Sequence, residues 1–328
     1  MACSPTSSVA VSDRPVVKPE QFRAAIEETA GRIAPYIRRT PTVILAAGEM
    51  GLAFPVTLKL ECLQHTGSFK ARGAFNKLLS NDVPCSGVNA ASGGNHGVAV
   101  AYAARILGHK ADIFVPEISA AVKIQRLREY GAQVNIVGEN YAEALAASEA
   151  RVAATGALVV HAYDQPEAVA GQGTTARELE EQEGEFDTIL VAVGGGGFIG
   201  GIAAWHQGKT RVVAVEPKLA PTLHAAREAG APVDVEVGGI AADALGARRI
   251  GNYAFDIADA YIDRLAMVED TSIRAAQLRL WNELRIIAEP AGAAALAALT
   301  SEVYRPEKDE RVAVMICGSN TDPSMLAA

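Results

Sequence analysis

Lys70, in the stretch Thr66-Gly67-Ser68-Phe69-Lys70-Ala71-Arg72-Gly73-Ala74, is the residue best suited to covalent chemistry in this chain. A lysine amine is a nucleophile and a base once its charge is suppressed by burial or neighbours. The alternation of Val56, Leu58 and Leu60 predicts a strand and the run after Gly73 predicts a helix, which places Lys70 where strand gives way to helix. Gly194, Gly195, Gly196 and Gly197 follow the apolar run Thr188–Val193 and precede a predicted helix from Phe198. Backbone N–H groups at such a turn approach an anion closely, and the helix start adds its positive dipole end, so this is a phosphate cradle. A second turn, Ser92-Gly93-Gly94-Asn95-His96-Gly97, again offers backbone donors at a helix start, with Ser92, Asn95 and His96 added. It suits a carboxylate held without formal positive charge.

Gly195 to Gly200 also satisfies G-x-G-x-x-G, with Glu216 ending the next strand, as a nicotinamide-binding fold requires. That reading leaves Lys70 and Asn95 with no role. Cys317 ends the last predicted strand, where open parallel sheets place ligands. No basic helix or paired histidine activates it, so it is not read as a nucleophile.

The elements that must carry these groups alternate. Strands are predicted at 56–61, 88–92, 111–115, 134–137, 158–161, 188–193, 211–215 and 311–316. Helices are predicted at 21–37, 75–79, 98–107, 120–130, 141–154, 172–182, 198–206, 272–284 and 290–299. This rhythm is a mainly parallel α/β architecture with crossover helices. Residues 216–251, rich in Pro and Gly, predict loops around a short helix, and residues 1–18 predict a disordered tail without the features of a secretory signal.

The net charge of -8 and the sparse aromatics, 5%, argue against nucleic-acid binding. No apolar run is long enough to cross a bilayer. Cys3, Cys62, Cys85 and Cys317 lack C-x-x-C spacing, which predicts neither a zinc ribbon nor a disulfide framework and fits a cytoplasmic setting.

Taken together, Ser68-Phe69-Lys70-Ala71-Arg72-Gly73, Ser92-Gly93-Gly94-Asn95-His96, Gly171-Gln172-Gly173-Thr174, Gly194–Gly197, Glu289-Pro290-Ala291-Gly292 and Cys317-Gly318-Ser319-Asn320 resemble the serine/threonine dehydratase family, which includes serine racemase. The resemblance runs from about residue 20 to 322. It implies pyridoxal 5'-phosphate as cofactor and the tryptophan-synthase-β-like fold, with two open twisted, mainly parallel sheets flanked by helices. It further implies a large domain of residues 19–74 and 163–328 with a small domain of residues 75–162 inserted. By the same resemblance Lys70 would carry the cofactor as a Schiff base, Phe69 would lie against its ring, Asn95 would bond the ring hydroxyl, Gly194 to Phe198 would hold the phosphate and Cys317 would face the ring nitrogen. Ser92, Gly93, Asn95 and His96 would surround the substrate carboxylate, and Asp243 would contact the β-substituent.

The activity so implied is β-elimination of water from L-threonine, L-serine or a related β-hydroxy amino acid, giving a 2-oxo acid and ammonia. The alternatives are a racemase or a β-replacing synthase of the same fold. Serine racemase has a serine where this chain has Gly93, which implies little racemisation. A cation site of some relatives would map onto Glu216, Ala220 and Thr222, with Thr222 replacing a carboxylate, so no metal is expected. Relatives commonly form homodimers or homotetramers, which is the expectation for this chain.

Overall fold

The computed structural model describes residues 17–326; most of the expected tail, residues 1–16, lies outside them. A six-stranded sheet has the order β1-β2-β10-β7-β8-β9, formed by β1 (Thr42–Leu45), β2 (Val56–Lys59), β7 (Thr188–Ala192), β8 (Arg211–Pro217), β9 (Arg264–Val268) and β10 (Val312–Met315). Only the β1–β2 pair is antiparallel. A four-stranded, wholly parallel sheet has the order β5-β4-β3-β6, formed by β3 (Val88–Ala91), β4 (Ala111–Val115), β5 (Gln133–Ile136) and β6 (Leu158–Val159).

The central strands β7 and β10 are buried along their whole length, so their sequences are continuously apolar rather than alternating. Their side chains divide by parity. Leu190, Val213 and Val314 pack with α11 (Asp270–Leu284) and α12 (Pro290–Thr300) on one face. Ile189, Val212 and Met315 pack on the other with α1 (Phe22–Ile33), α6 (Pro166–Glu183), α7 (Gly197–His206) and α10 (Asn252–Tyr261). A third core joins the four-stranded sheet to α2 (Lys70–Leu79), α3 (Asn95–Leu107) and α4 (Ala121–Glu129). On the same sheet, α5 (Tyr141–Thr155) starts at Asn140, whose side chain accepts from Glu143 N–H, and stops at left-handed Gly156.

Helix α6 meets two others at glycines. A Cβ on Gly171 would lie 2.6 Å from the Cα of Gly73 in α2, and one on Gly201 of α7 would lie 2.5 Å from the nitrogen of Gly173. The Gly171-Gln172-Gly173 run is thus a packing surface on which backbone meets backbone.

Three expectations need correction. Strand and helix are not contiguous at Lys70: β2 ends at Lys59, and residues 60–69 make two short 3-10 turns with Thr66 at φ +64° before α2 begins at Lys70. β9, a short run of four apolar residues after Arg264, and β1, a short edge strand, are both absent from the predicted strands. The irregular stretch holds α8 (Thr222–Ala229) and the single turn α9 (Ala242–Leu245), and α10 follows unpredicted.

Candidate active site

Lys70 opens α2, and its position is fixed from below by a buried ion cluster two residues on. Arg72 donates to Glu61 through Nε at 2.8 Å and Nη2 at 2.7 Å, and to Glu178 at 3.0 Å. Lys59 closes the cluster on Glu178 at 2.5 Å. Each charge is paired, which is what makes burial of four ionic groups tolerable. Above the cluster, Lys70 Nζ donates to Ala162 O at 2.7 Å. Burial pulls its pKa down to about 8, against smaller opposing effects of Cys317 and Glu289. Two residues earlier, the buried Ser68 Oγ has no hydrogen-bond partner among the described residues.

The glycine turn lies beside this amine. Phe69 stacks on Phe198 at 4.0 Å between centroids, and Tyr163, next to the carbonyl that Lys70 holds, covers the turn. A Cβ on Gly195 would lie 2.3 Å from the Tyr163 ring, and one on Gly197 2.9 Å from Tyr163 O. Gly196 is left-handed at φ +86°, and a Cβ on Gly194 would lie 3.0 Å from Leu245 Cα. Glycine is therefore needed along the whole turn, and α7 begins at Gly197 with its N–H groups toward the turn.

The last strand delivers Cys317. Its carbonyl accepts from Phe69 N–H at 3.3 Å, and its thiol donates to Ala291 O at 3.4 Å. Burial raises the thiol pKa well above the ordinary value, so it stays neutral. Ser319 and Asn320 then tie back to the loop before Lys70, through Ser319 Oγ to Cys62 O at 2.9 Å and Asn320 Nδ2 to Thr66 O at 2.8 Å.

Asn95 opens α3 and donates to Glu289 at 2.6 Å; burial lifts the Glu289 pKa to about 7, against the opposing effect of that hydrogen bond. His96 is buried with Nε2 on Val160 O at 2.8 Å, and desolvation followed by the Lys70 charge lowers its pKa to about 3. The ring is therefore neutral, and the turn holds no histidine charge. Gly94 N–H donates to Ser92 Oγ at 3.3 Å, while a Cβ on Gly93 would point toward Val115 and Ser119.

Two groups are occupied elsewhere. Exposed Asp243 forms an ion pair with Lys123 of α4. Glu216 accepts from Leu223 N–H at 2.7 Å and His224 N–H at 2.9 Å, capping α8, with Ala220 buried beside it and Thr222 donating to Ala247 O at 2.8 Å. Among the described residues no group of three or more His, Cys, Asp or Glu is arranged to hold a metal ion. Glu289, Asn320 and Tyr163 had no assigned role from the sequence, because their partners lie far along the chain. The Glu289–Asn95 contact spans 194 positions.

A half-buried amine of lowered pKa, an anion cradle at a helix start and a neutral thiol converge here, and the family model for pyridoxal-phosphate dependent enzymes matches residues 33–318. The chain belongs to that family. Its cofactor is pyridoxal phosphate, which sets aside the nicotinamide reading of Gly195–Gly200. The chain is 34% identical to the phenylserine dehydratase of Ralstonia pickettii, over 93% of this chain and 94% of the relative. It is 35% identical to an L-threonine ammonia-lyase of Geobacter sulfurreducens, over 90% and 75%. Maize serine racemase superposes with a TM-score of 0.86 at 31% identity, over 93% of this chain and 95% of that one. The fold is thus the tryptophan-synthase-β-like one. The residues present fit the cofactor: Lys70 Nζ is held by one carbonyl and lies 5.1 Å from the Phe69 ring centroid, Ser68 Oγ is a buried hydroxyl with no partner among the described residues, and the cradle has no room for side chains.

Proposed function

We propose that this enzyme is a dehydratase that eliminates water from L-threonine, L-serine or a related β-hydroxy amino acid and releases ammonia. The observation that carries the reading is the Lys70 amine, half-buried at the start of α2 beside the glycine cradle, with its pKa drawn down to about 8. Lys70 would hold the cofactor covalently, Gly194 to Phe198 its phosphate, Asn95 its ring hydroxyl and Cys317 its ring nitrogen, with Phe69 against the ring. Pyridoxal phosphate, when bound, supplies the electron sink for charge that develops at the substrate Cα.

The protein's own part is proton handling and orientation. Lys70 Nζ would remove the Cα proton, and a pKa of about 8 leaves a useful neutral fraction at neutral pH. Ser92, Asn95 and the N–H groups opening α3 would orient the carboxylate beside neutral His96. A neutral Cys317 thiol cannot pair with a charged ring nitrogen as an aspartate would, which disfavours long-lived charge at Cα and favours immediate loss of the hydroxyl. Gly93 supplies no acid for the opposite face, so racemisation is minor.

Beyond Glu289 and Asn320 lies a cavity of about 600 Å³, walled by Ala241, Ala244, Pro290 and Ala291 and edged by Asp243 and Arg274. It has room for a β-substituent larger than methyl, and the similarity to a phenylserine dehydratase supports including aryl substrates. We also infer that residues 75–162, which contain the four-stranded sheet, act as a small lobe against a cofactor-holding lobe of 19–74 and 163–328, and that the protein is a cytoplasmic homo-oligomer.

The test is ammonia release from L-threonine, L-serine and phenylserine by wild type and Lys70→Ala. At least one substrate should turn over in wild type and none in the variant, which should also lose the visible absorbance of the bound cofactor. Appreciable D-serine from L-serine, or ammonia release by Lys70→Ala, would overturn the reading.

A further inference from the structure

Four side chains from distant parts of the sequence form one directed line of hydrogen bonds beside Lys70. Arg126 of α4 donates through Nη1 to Asn320 Oδ1 at 2.5 Å and through Nη2 to Thr66 O at 3.3 Å. Asn320 Nδ2 donates to Asn95 Oδ1 at 2.6 Å and to Thr66 O at 2.8 Å. Asn95 Nδ2 then donates to Glu289 Oε1 at 2.6 Å.

An amide can be turned by half a rotation at little internal cost, so its orientation is decided by its partners. Here the ends of the line decide it. A guanidinium only donates, so the Asn320 atom facing Arg126 must be its oxygen. The other end of that amide is then its nitrogen, as the acceptor-only carbonyl of Thr66 also requires. Asn95 must accept from it, which leaves the Asn95 nitrogen facing Glu289. That nitrogen carries two hydrogens, and Glu289 takes one. Glu289 itself fits only because residue 318 is glycine: a Cβ there would lie 1.9 Å from Oε1.

We propose that Arg126 and Glu289 are positioning residues that fix the polarity of the Asn95 amide, so that its second N–H is presented to the ring hydroxyl oxygen of the cofactor. The inference rests on the reading that Asn95 meets that oxygen. An N–H there stabilises the ionised oxygen, whereas a turned amide would present its carbonyl and repel it. Arg126 belongs to a helix on the four-stranded sheet and Glu289 directly precedes α12 on the six-stranded sheet, so the amide is polarised only where the two sheets' elements dock.

The experiment compares holoenzyme wild type with Arg126→Met, Arg126→Lys, Glu289→Gln and Asn95→Ala. Two quantities are read: the dissociation constant of pyridoxal phosphate, and the ratio of its visible absorbance bands, which reports the ionisation of the ring hydroxyl. Arg126→Met should weaken cofactor binding about tenfold, the scale of one oriented hydrogen bond, and shift the band ratio in the same direction as Asn95→Ala. Arg126→Lys keeps a donor-only group and should stay near wild type. Glu289→Gln, nearly isosteric, replaces the carboxyl with an amide that offers Asn95 either a donor or an acceptor, so it no longer favours one end of the Asn95 amide and should shift the bands in that direction even if Arg126→Met folds poorly. Bands that move in Asn95→Ala but stay at wild type in both Arg126→Met and Glu289→Gln would overturn the positioning role. Bands unmoved by Asn95→Ala itself would overturn the reading of Asn95, and this proposal with it.

Discussion

Two strand-turn-helix corners face Lys70, one from each sheet, and they solve the same local problem in opposite ways. The corner after β7 is closed on every side: Cβ atoms at Gly194–Gly197 would lie 2.3–3.0 Å from Leu245, Tyr163 or Ala254. The corner after β3 has space at its tip, where a Cβ on Gly94 would come no closer than 3.8 Å to Asp243 O. The first corner offers only backbone, the second offers Ser92, Asn95 and His96. The difference separates a cradle that recognises any phosphate by shape and N–H direction from a turn that recognises particular oxygens by side chain.

The sharpest way to break this comparison is Gly195→Ala. Overpacking against Tyr163 costs about 1–3 kcal/mol, so pyridoxal phosphate affinity should fall about ten- to a hundredfold. Adding Tyr163→Ala should recover part of the loss, since the three nearest atoms to a Cβ at that position all belong to the ring. Equilibrium dialysis of the two variants decides it, and a Gly195→Ala protein that binds normally would remove the claim that the turn is closed.

A second test concerns the amine between the corners. Attachment of the cofactor to apoenzyme needs neutral Lys70, whose pKa is lowered to about 8. The rate should therefore rise with pH through about 8 and level off above it, rather than climbing toward the ordinary lysine value near 10.4. Stopped-flow absorbance after mixing shows which midpoint holds. The smallest effect is expected for Gly94→Ala: with open space and an ordinary φ of -98°, its melting temperature and cofactor affinity should change little. A loss as large as that of Gly195→Ala would erase the distinction between the corners.

Much of this was readable in the chain. Thr188–Ala192 and Val312–Met315 announce buried strands because both their faces are covered, and Gly194–Gly197 announces a tight corner because four glycines between an apolar strand and a helix leave only main chain to line it. What escaped depended on distant partners. Glu216 has the type and spacing of a ribose or cation ligand, yet its carboxylate caps α8. Asp243 edges the cavity beyond Glu289, and its pairing with Lys123 of α4 is a contact that no local pattern shows. Glu289 reads as a residue before a helix proline, and only the approach of α3 gives it Asn95. Local pattern specifies elements, whereas the identity of a polar partner is a tertiary fact.

The glycines along α6 have a consequence for how this catalyst tolerates change. Gly171 seats α2, which carries Lys70, and Gly173 seats α7, which carries the phosphate cradle, in each case by main chain against main chain. The gap between amine and cradle is therefore set like that of a machined spacer, by main-chain contact at Gly171–Gly73 and Gly173–Gly201. Mutations that swell or shrink the surrounding apolar cores can loosen the protein without altering the span into which the cofactor must fit, and drift in those cores is free to proceed while the catalytic gauge stays constant.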